Sequence, residues 1–284
     1  MTSVLFDVPG PTARRRHRLY ALGTVIVLLA VAAGLLGVLG ARGQLDQTKW
    51  DFLADPGTYR AIGGGLQHTA MAAVAAILLA LAFGTVFAVV RLSKQAWLHW
   101  PAVVIVEFFR AVPLVLLILF IFLGYSQHLG AFWSLVIALV LYNGSVLAEI
   151  FRAGVAAVPH GQVEAAYAIG LRKGQVLRLI QMPQAVRLML PAIISQSVVA
   201  LKDTALGYII GYLELARVGQ SLYVYYNNPL QAGIVIAVIY MAINYTVAKT
   251  AATVSARRAR VRSTAGVEQP SAPVMPAAGP GATW

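Results

Sequence analysis

Residues 19–40, LYALGTVIVLLAVAAGLLGVLG, form the apolar stretch that decides the fold class. The stretch contains no charged side chain and exceeds the about 20 residues that a helix needs to cross the hydrocarbon core of a bilayer. It is also longer than the apolar segment of a signal peptide, which is usually about 7–15 residues. We therefore interpret it as a retained transmembrane helix, with a signal peptide as the alternative.

The composition of the whole chain indicates the same fold class. Hydrophobic residues make up 59% of the chain, charged residues only 11%, and the mean hydropathy is +0.74. Soluble domains carry roughly 25% charged residues. A chain so apolar would be insoluble unless lipid were its solvent, so the composition predicts an integral membrane protein.

Further apolar runs follow the first one along the chain. They lie at about 65–90, 101–123, 132–151, 188–215 and 231–248. Together with the first run they predict an all-α fold with about six transmembrane helices. The polar residues 41–61, which include the turn signal Asp55-Pro56-Gly57, predict a loop.

The basic residues lie mostly at the ends of these runs. The formal net charge is +12, but aromatic residues do not alternate with the basic ones, and we therefore predict no nucleic-acid binding. Lysines and arginines concentrate in residues 1–18, 91–100, 152–187 and the tail from Lys249. The positive-inside rule then predicts a multi-pass plasma-membrane protein whose N- and C-termini are both cytoplasmic.

Several kinds of chemistry are excluded by the residues that the chain lacks. It contains no cysteine, and its five histidines have no metal-ligand spacing, so we expect no metal site. Nucleotide-binding glycine motifs of the Walker and Rossmann types are also missing. We find no paired aspartates, Ser/His pair or HExxH within the spans, and expect no enzymatic activity in this chain.

The polar segment 152–187 predicts two short helices separated by a glycine. Its centre, residues 158–170, reads VPHGQVEAAYAIG. We expect Glu164 in the first helical turn, where a carboxylate favours the positive end of the helix dipole. Gly170 can adopt a positive φ and end this helix, and Pro183 is expected to stop the second one. A plain connector between two spans is the alternative.

The pattern Glu164-Ala165-Ala166-x-x-x-Gly170, followed by Ile180-x-Met182-Pro183, resembles the EAA loop of ABC importer permeases. Met182 stands where leucine is usual. Residues 65–69, 107–114, 148–162 and 201–206 resemble the polar amino-acid branch of this family, and the likeness covers roughly residues 62–250. The first predicted helix lies outside that likeness.

The resemblance implies a role and a set of partners. The residues expected to couple to an ATPase are Glu164, Ala165, Ala166, Gly170 and Pro183. The partners would be two ATP-binding subunits that hold ATP and Mg, a second permease subunit of the same or another kind, an extracytoplasmic substrate-binding protein, and membrane lipid. A polar amino acid would be the cargo, with glutamate or glutamine expected first. An ion-coupled carrier or a channel is the alternative.

These expectations predict five regions. They are a cytoplasmic basic N-terminus at 1–18, an extra transmembrane helix at 19–40, an extracytoplasmic loop at 41–61, a permease core at 62–250 with a coupling hairpin at about 158–183, and a basic, Pro/Ala-rich disordered tail at 251–284.

Ionisable residues at membrane depth are costly there and often functional. Glu107 and Arg110 are three residues apart, so we expect a structural ion pair on one helix face. Glu149 and Arg152 have the same spacing.

Lys202 and Asp203 are adjacent and cannot face each other, so they must find separate partners. Gly207 nearby permits a break in the helix, and transporters often bind substrate at such breaks. The candidates for a substrate path are Lys202, Asp203, Thr204, Glu149, Asn143 and Gln196.

Overall fold

The computed structural model describes residues 10–263 and, among these, the burial of residues 10, 12–250 and 253. Its α-helices are α1 (Pro11–Ala41), α2 (Pro56–Arg91), α3 (Ala96–Ala111), α4 (Leu114–Ala156), α5 (His160–Ala168), α6 (Lys173–Gln175), α7 (Met182–Asp203), α8 (Leu215–Tyr226) and α9 (Pro229–Ser263). Two 3-10 helices, Gln47–Ala54 and Thr204–Ile210, and one π-helix, Val176–Gln181, join them. The described residues contain no strand, which confirms the all-α prediction.

Five segments of the described chain are long and apolar enough to cross a membrane. They are Thr12–Ala41, Pro56–Arg91, Leu114–Ala156, Lys173–Ile210 and Pro229–Thr250. The sequence predicted about six spans, and the difference arises in the predicted spans at 101–123 and 132–151.

The predicted span 101–123 is not one helix. Its first part lies in α3 and its second in α4, because Val112 and Pro113 have extended backbone and proline has no N–H for a helical hydrogen bond. The 43 residues of α4 would extend about 65 Å if straight, roughly twice the hydrocarbon core. Gly130, with φ 65° and ψ 176°, interrupts this helix, and we interpret the parts on its two sides as separate crossings.

The predicted loop 41–61 is partly helical. Residues 47–54 form a 3-10 helix, and α2 begins at Pro56 rather than near residue 65. The Asp55-Pro56-Gly57 signal is therefore a helix start and not a turn. Asp55 Oδ1 accepts a hydrogen bond of 2.8 Å from the Gly57 N–H, and proline at the first helical position needs no hydrogen-bond partner for its nitrogen.

The first part of the predicted disordered tail is helical. Helix α9 continues to Ser263, so residues 251–263 are helical and not disordered. The rest of the predicted tail, 264–284, lies outside the described residues, as do residues 1–9 of the predicted basic N-terminus.

The helices divide into two compact units, the first of which comprises Met1–His68 and Leu213–Val238. Within it, Lys49 Nζ donates a hydrogen bond of 2.7 Å to the Asn227 carbonyl. The Tyr226 hydroxyl donates to the Asp55 carboxylate, and this bond lowers the pKa of Asp55 and raises the pKa of Tyr226. Phe52 is buried and packs beside the Tyr226 ring. These contacts hold the 3-10 helix 47–54 against the turn between α8 and α9.

The second unit, Thr69–Tyr212 with Ile239–Trp284, contains two apolar core clusters. The larger cluster is centred on fully buried α4 residues, including Ile118, Leu135 and Leu139. The smaller one, called the basic-end cluster below, consists of Val155, Val158, Ala185 and Met189 with the partly buried side chains packed on them.

A chain of ion pairs joins α2, α3 and α4 within the second unit. Arg91 Nη1 lies 2.9 Å from Glu149 Oε2, and Arg91 Nη2 lies 3.5 Å from Glu107 Oε1. Arg110 Nη1 donates to both Glu107 oxygens at 3.2 Å, and Arg152 Nε to both Glu149 oxygens at 3.1 Å. The predicted pairs Glu107–Arg110 and Glu149–Arg152 are thus confirmed, and Arg91 links them.

Arg91 is the most buried charged side chain of these ion pairs. Its side chain is only 8% exposed, whereas that of Arg110 is 35% exposed. A charge withdrawn from solvent is tolerated because it meets opposite charges, and removing it would leave the half-buried Glu149 with fewer partners.

We expect Arg91→Met to lower the free energy of unfolding by about 1–3 kcal/mol, because carboxylates on two helices lose their shared partner. Arg110→Met is the matched control and should cost at most about 1 kcal/mol, since an exposed pair contributes little. Thermal unfolding in detergent measures both variants. Equal destabilisation by the two would show that Arg91 does not hold the helices together.

Candidate functional site

A helical hairpin occupies the segment that the sequence singled out. Helix α5 is followed by a turn in which Gly170 has φ +85°, and the chain then re-enters helix at Lys173. That positive φ was predicted and is confirmed. Side chains other than glycine rarely adopt it, so this position selects glycine.

Two details of the predicted hairpin are wrong. Glu164 is the fifth residue of α5, which begins at His160, so its carboxylate is beyond the first turn. Pro183 does not end a helix either, since the chain continues from Lys173 through the π-helix into α7. The wider π turn tolerates a residue without an N–H, and the Gln184 side chain donates a 3.0 Å hydrogen bond to the Ile180 carbonyl.

The hairpin is attached to the second unit by one apolar face. Val163 and Leu177 pack against the basic-end cluster, and Ala166 and Val176 are buried. Gln184 Nε2 also donates a hydrogen bond of 2.7 Å to Gln162 Oε1, which ties α7 to α5. The hairpin therefore cannot move independently of α7 without breaking these contacts.

Its opposite face is exposed. Glu164, Ala165 and Gly170 are all exposed. The large apolar side chains of Tyr167 and Ile169 are 47% and 78% exposed beside them. An exposed apolar surface rimmed by polar residues is typical of a protein interaction site.

A second group of predicted residues lies inside the second unit, where α4 meets the end of α7. Gln196 Nε2 donates to Asn143 Oδ1 at 2.7 Å, and Asn143 Nδ2 donates to Asp203 Oδ2 at 3.3 Å. Asn143 is 1% exposed, so its two hydrogen bonds replace those to water. The structure thus brings together three of the six candidates for a substrate path.

The other three candidates are not part of this hydrogen-bonded group. Lys202 is exposed and borders an open groove of about 360 Å³ with Ser195 and Val198. Thr204 is fully buried, and its hydroxyl donates a 2.7 Å hydrogen bond to the Leu201 carbonyl. Glu149 belongs to the chain of ion pairs.

The structure also identifies residues that the sequence did not single out. Arg91 is separated along the chain from both carboxylates that it meets, and Gln162 and Gln184 lie on opposite arms of the hairpin. No local spacing rule pairs residues so far apart. A basic residue at the end of a span was the only signal for Arg91, and it predicted membrane orientation alone.

Several curated proteins are similar to this chain. A glutamate transport system permease protein of Corynebacterium glutamicum is 41% identical over 245 residues, which cover 82% of this chain and 90% of the relative. An arginine transport system permease protein of Bacillus subtilis is 30% identical over 64% of this chain and 86% of its own. A glutamate/aspartate import permease protein of Escherichia coli O157:H7 is 33% identical over 56% and 75%.

Comparison with solved structures also identifies ABC transporters. An amino acid ABC transporter crystallised with histidines has a TM-score of 0.69 and 28% identity, covering 73% of this chain and 98% of that one. An inward-facing methionine ABC transporter, at 17% identity and a TM-score of 0.61, shares the fold. The family model for the binding-protein-dependent transport system inner membrane component matches residues 76–261. This chain therefore belongs to that family of ABC importer permeases, as the EAA-like loop predicted.

Proposed function

We propose that this chain is the permease subunit of an ATP-driven importer of polar amino acids, with glutamate or glutamine as the first expected cargo. The observation that carries the proposal is the hairpin, which exposes Tyr167 and Ile169 around a surface kept thin by Ala165. The relatives' own substrates, glutamate among them, support an amino acid as cargo.

The proposed assembly supplies what this chain lacks. Two ATP-binding subunits bind ATP and Mg and hydrolyse the nucleotide, a second permease subunit of the same or another kind completes the path, and an extracytoplasmic binding protein delivers the cargo. The concentration of basic residues in 1–18, 91–100 and 152–187 supports cytoplasmic termini and a cytoplasmic hairpin in the plasma membrane.

Coupling in this proposal runs through the hairpin. A permease without a nucleotide site responds to ATP only if its partner binds its two states with different affinity. Glu164, Ala165 and Gly170 form the exposed docking part, the buried Ala166 supports it from the packed side, and Pro183 lies where the hairpin continues into α7. Since Gln162 in α5 is hydrogen-bonded to Gln184 in α7, a displacement of α5 would also displace α7.

The proposed substrate path follows the far end of α7. Helix α7 ends at Asp203 and continues as a 3-10 helix, and transporters often bind substrate where a membrane helix is interrupted. Asn143 and Gln196 orient Asp203, and the exposed ammonium of Lys202 attracts the cargo's carboxylate. Among the described residues no acidic side chain pairs with Lys202, which supports a partner from outside the chain.

Deleting this chain is expected to abolish cellular uptake of radiolabelled glutamate, and a narrow set of unlabelled amino acids should compete in the wild type. Depleting ATP while an ion gradient is maintained should have the same effect as deletion. Uptake that persists without ATP would indicate an ion-coupled carrier, and undiminished uptake after deletion would remove glutamate as the cargo.

We expect Gly170→Val to abolish uptake while membrane insertion is retained, because valine at φ +85° would distort the turn of the docking surface. Gly174→Val is the matched control: both glycines are exposed and have open space around them, but only Gly170 has a positive φ. Uptake and membrane abundance are measured together. Normal transport by Gly170→Val would exclude the hairpin as the coupling element.

Lys202→Met is expected to raise the half-saturating cargo concentration at least about tenfold, since a lost charged hydrogen bond is worth about 1.5–3 kcal/mol. Lys249→Met, an exposed lysine on α9, should leave it unchanged. Initial uptake rates over a range of cargo concentrations provide the test. An unchanged half-saturation value in Lys202→Met would remove this residue from the substrate path.

A further inference from the structure

A narrow apolar cavity opens beside the basic-end cluster and has no part in the function proposed above. Its volume is about 230 Å³, and it is lined by three helices, α2, α4 and α7. Val89 lines it from α2, Leu92 from the turn that follows α2, Phe151 from α4, and Met182 and Val186 from α7. All of these side chains belong to the second unit.

The cavity extends along part of one bilayer leaflet, and its lining on the α2 side, from Thr85 to Leu92, spans about 10 Å. Its α7 lining extends from Met182 to Ile193, which is about 16 Å at the rise of an α-helix. Half of the hydrocarbon core is about 15 Å thick. One end of the cavity, at Leu92, adjoins Arg91 and the chain of ion pairs, so that end lies at the basic boundary of the membrane.

The cavity is too small to enclose a whole helix. A helix with side chains is about 10 Å across and would need more than about 1,000 Å³ over this length. The observed volume holds about eight groups of the size of a water molecule or methylene, at about 30 Å³ each. A single hydrocarbon chain fits this shape.

Two basic residues are close in the sequence to residues that line the cavity. Lys94 follows Leu92 by two residues, and Arg187 adjoins Val186; both are exposed. Lipid tails are as apolar as leucine, so moving a chain from the bilayer into the cavity gains little from hydrophobicity. Selectivity for one lipid must come from packing of the chain against the cavity walls and from contacts of the headgroup. Cationic residues at the membrane surface favour an anionic headgroup.

We propose that this cavity binds one acyl chain of an anionic phospholipid, whose phosphate is held at the basic end by Lys94 and Arg187. Val89 and Val186 form the rim of the site, and Met182 and Met189 form its inner wall. The proposed orientation of the chain places this site in the inner leaflet of the membrane.

A lipid bound at this site would affect how the hairpin packs on the second unit. Met189 and Met182 belong to the cluster on which Val163 and Leu177 of the hairpin pack. A bound chain would fill the space behind these side chains and restrict their motion. The lipid would therefore stabilise the packing of α5 on the basic-end cluster without contacting the exposed docking face.

Native mass spectrometry of the full-length chain in detergent tests the site, with phosphatidylglycerol and phosphatidylcholine as the lipids. The wild type should retain one phosphatidylglycerol at least about tenfold more tightly than phosphatidylcholine. Val89→Trp should fill the cavity and reduce that retention at least tenfold. Val86→Trp is the control, since Val86 and Val89 are on the same helix and are 58% and 59% exposed, but only Val89 lines the cavity.

The double variant Lys94→Gln/Arg187→Gln should weaken phosphatidylglycerol retention about 30-fold, at about 1 kcal/mol for each basic residue, and Lys249→Gln should not. In hydrogen exchange, phosphatidylglycerol should slow exchange of residues 160–170 in the wild type and in Val86→Trp but not in Val89→Trp. Equal retention of the two lipids, equal retention by the two tryptophan variants, or a change of oligomeric mass in Val89→Trp would overturn the proposal.

Discussion

The bilayer offers no hydrogen-bond partner to the polypeptide backbone, and the rest of this structure depends on that constraint. Every long apolar segment is therefore a helix, and each interruption of a helix needs a local reason. Proline at position 113 and glycine at 130 supply that reason in α3 and α4. The π turn before Pro183 and the 3-10 turn after Asp203 supply it in α7. The two interruptions of α7 lie at its two ends, and both ends belong to candidate sites.

Helix α7 links the two regions for which a function is proposed. Its beginning is tied to the hairpin by Gln184, and its end carries Asp203 beside Asn143. Since a continuous helix transmits displacement along its axis, a displacement of α5 would also shift the end of α7 at the proposed substrate path. The basic-end cluster and the apolar cavity lie beside the first part of α7, where packing decides how firmly the hairpin is held.

Charges in this protein are stabilised in two different ways. Arg91 is nearly buried, and its charge is balanced by Glu107 and Glu149 within the chain. Lys202 is exposed and has no such acidic partner among the residues described. A paired charge contributes to structure, whereas a cation without an internal partner is available to a ligand.

The sequence by itself determined the fold class, the family, the local i,i+3 ion pairs and the positive φ at Gly170, because each depends on composition or on residues close in the chain. It misplaced the start of α2, missed the break at Pro113 within the predicted span 101–123, and wrongly ended a helix at Pro183, since proline can begin, break or follow a helix according to its neighbours. Only the tertiary structure joined the two ion pairs through Arg91, Gln162 to Gln184, and Asn143 to Asp203. Those contacts bring together residues from different helices, and helix packing rather than sequence spacing decides which of them meet.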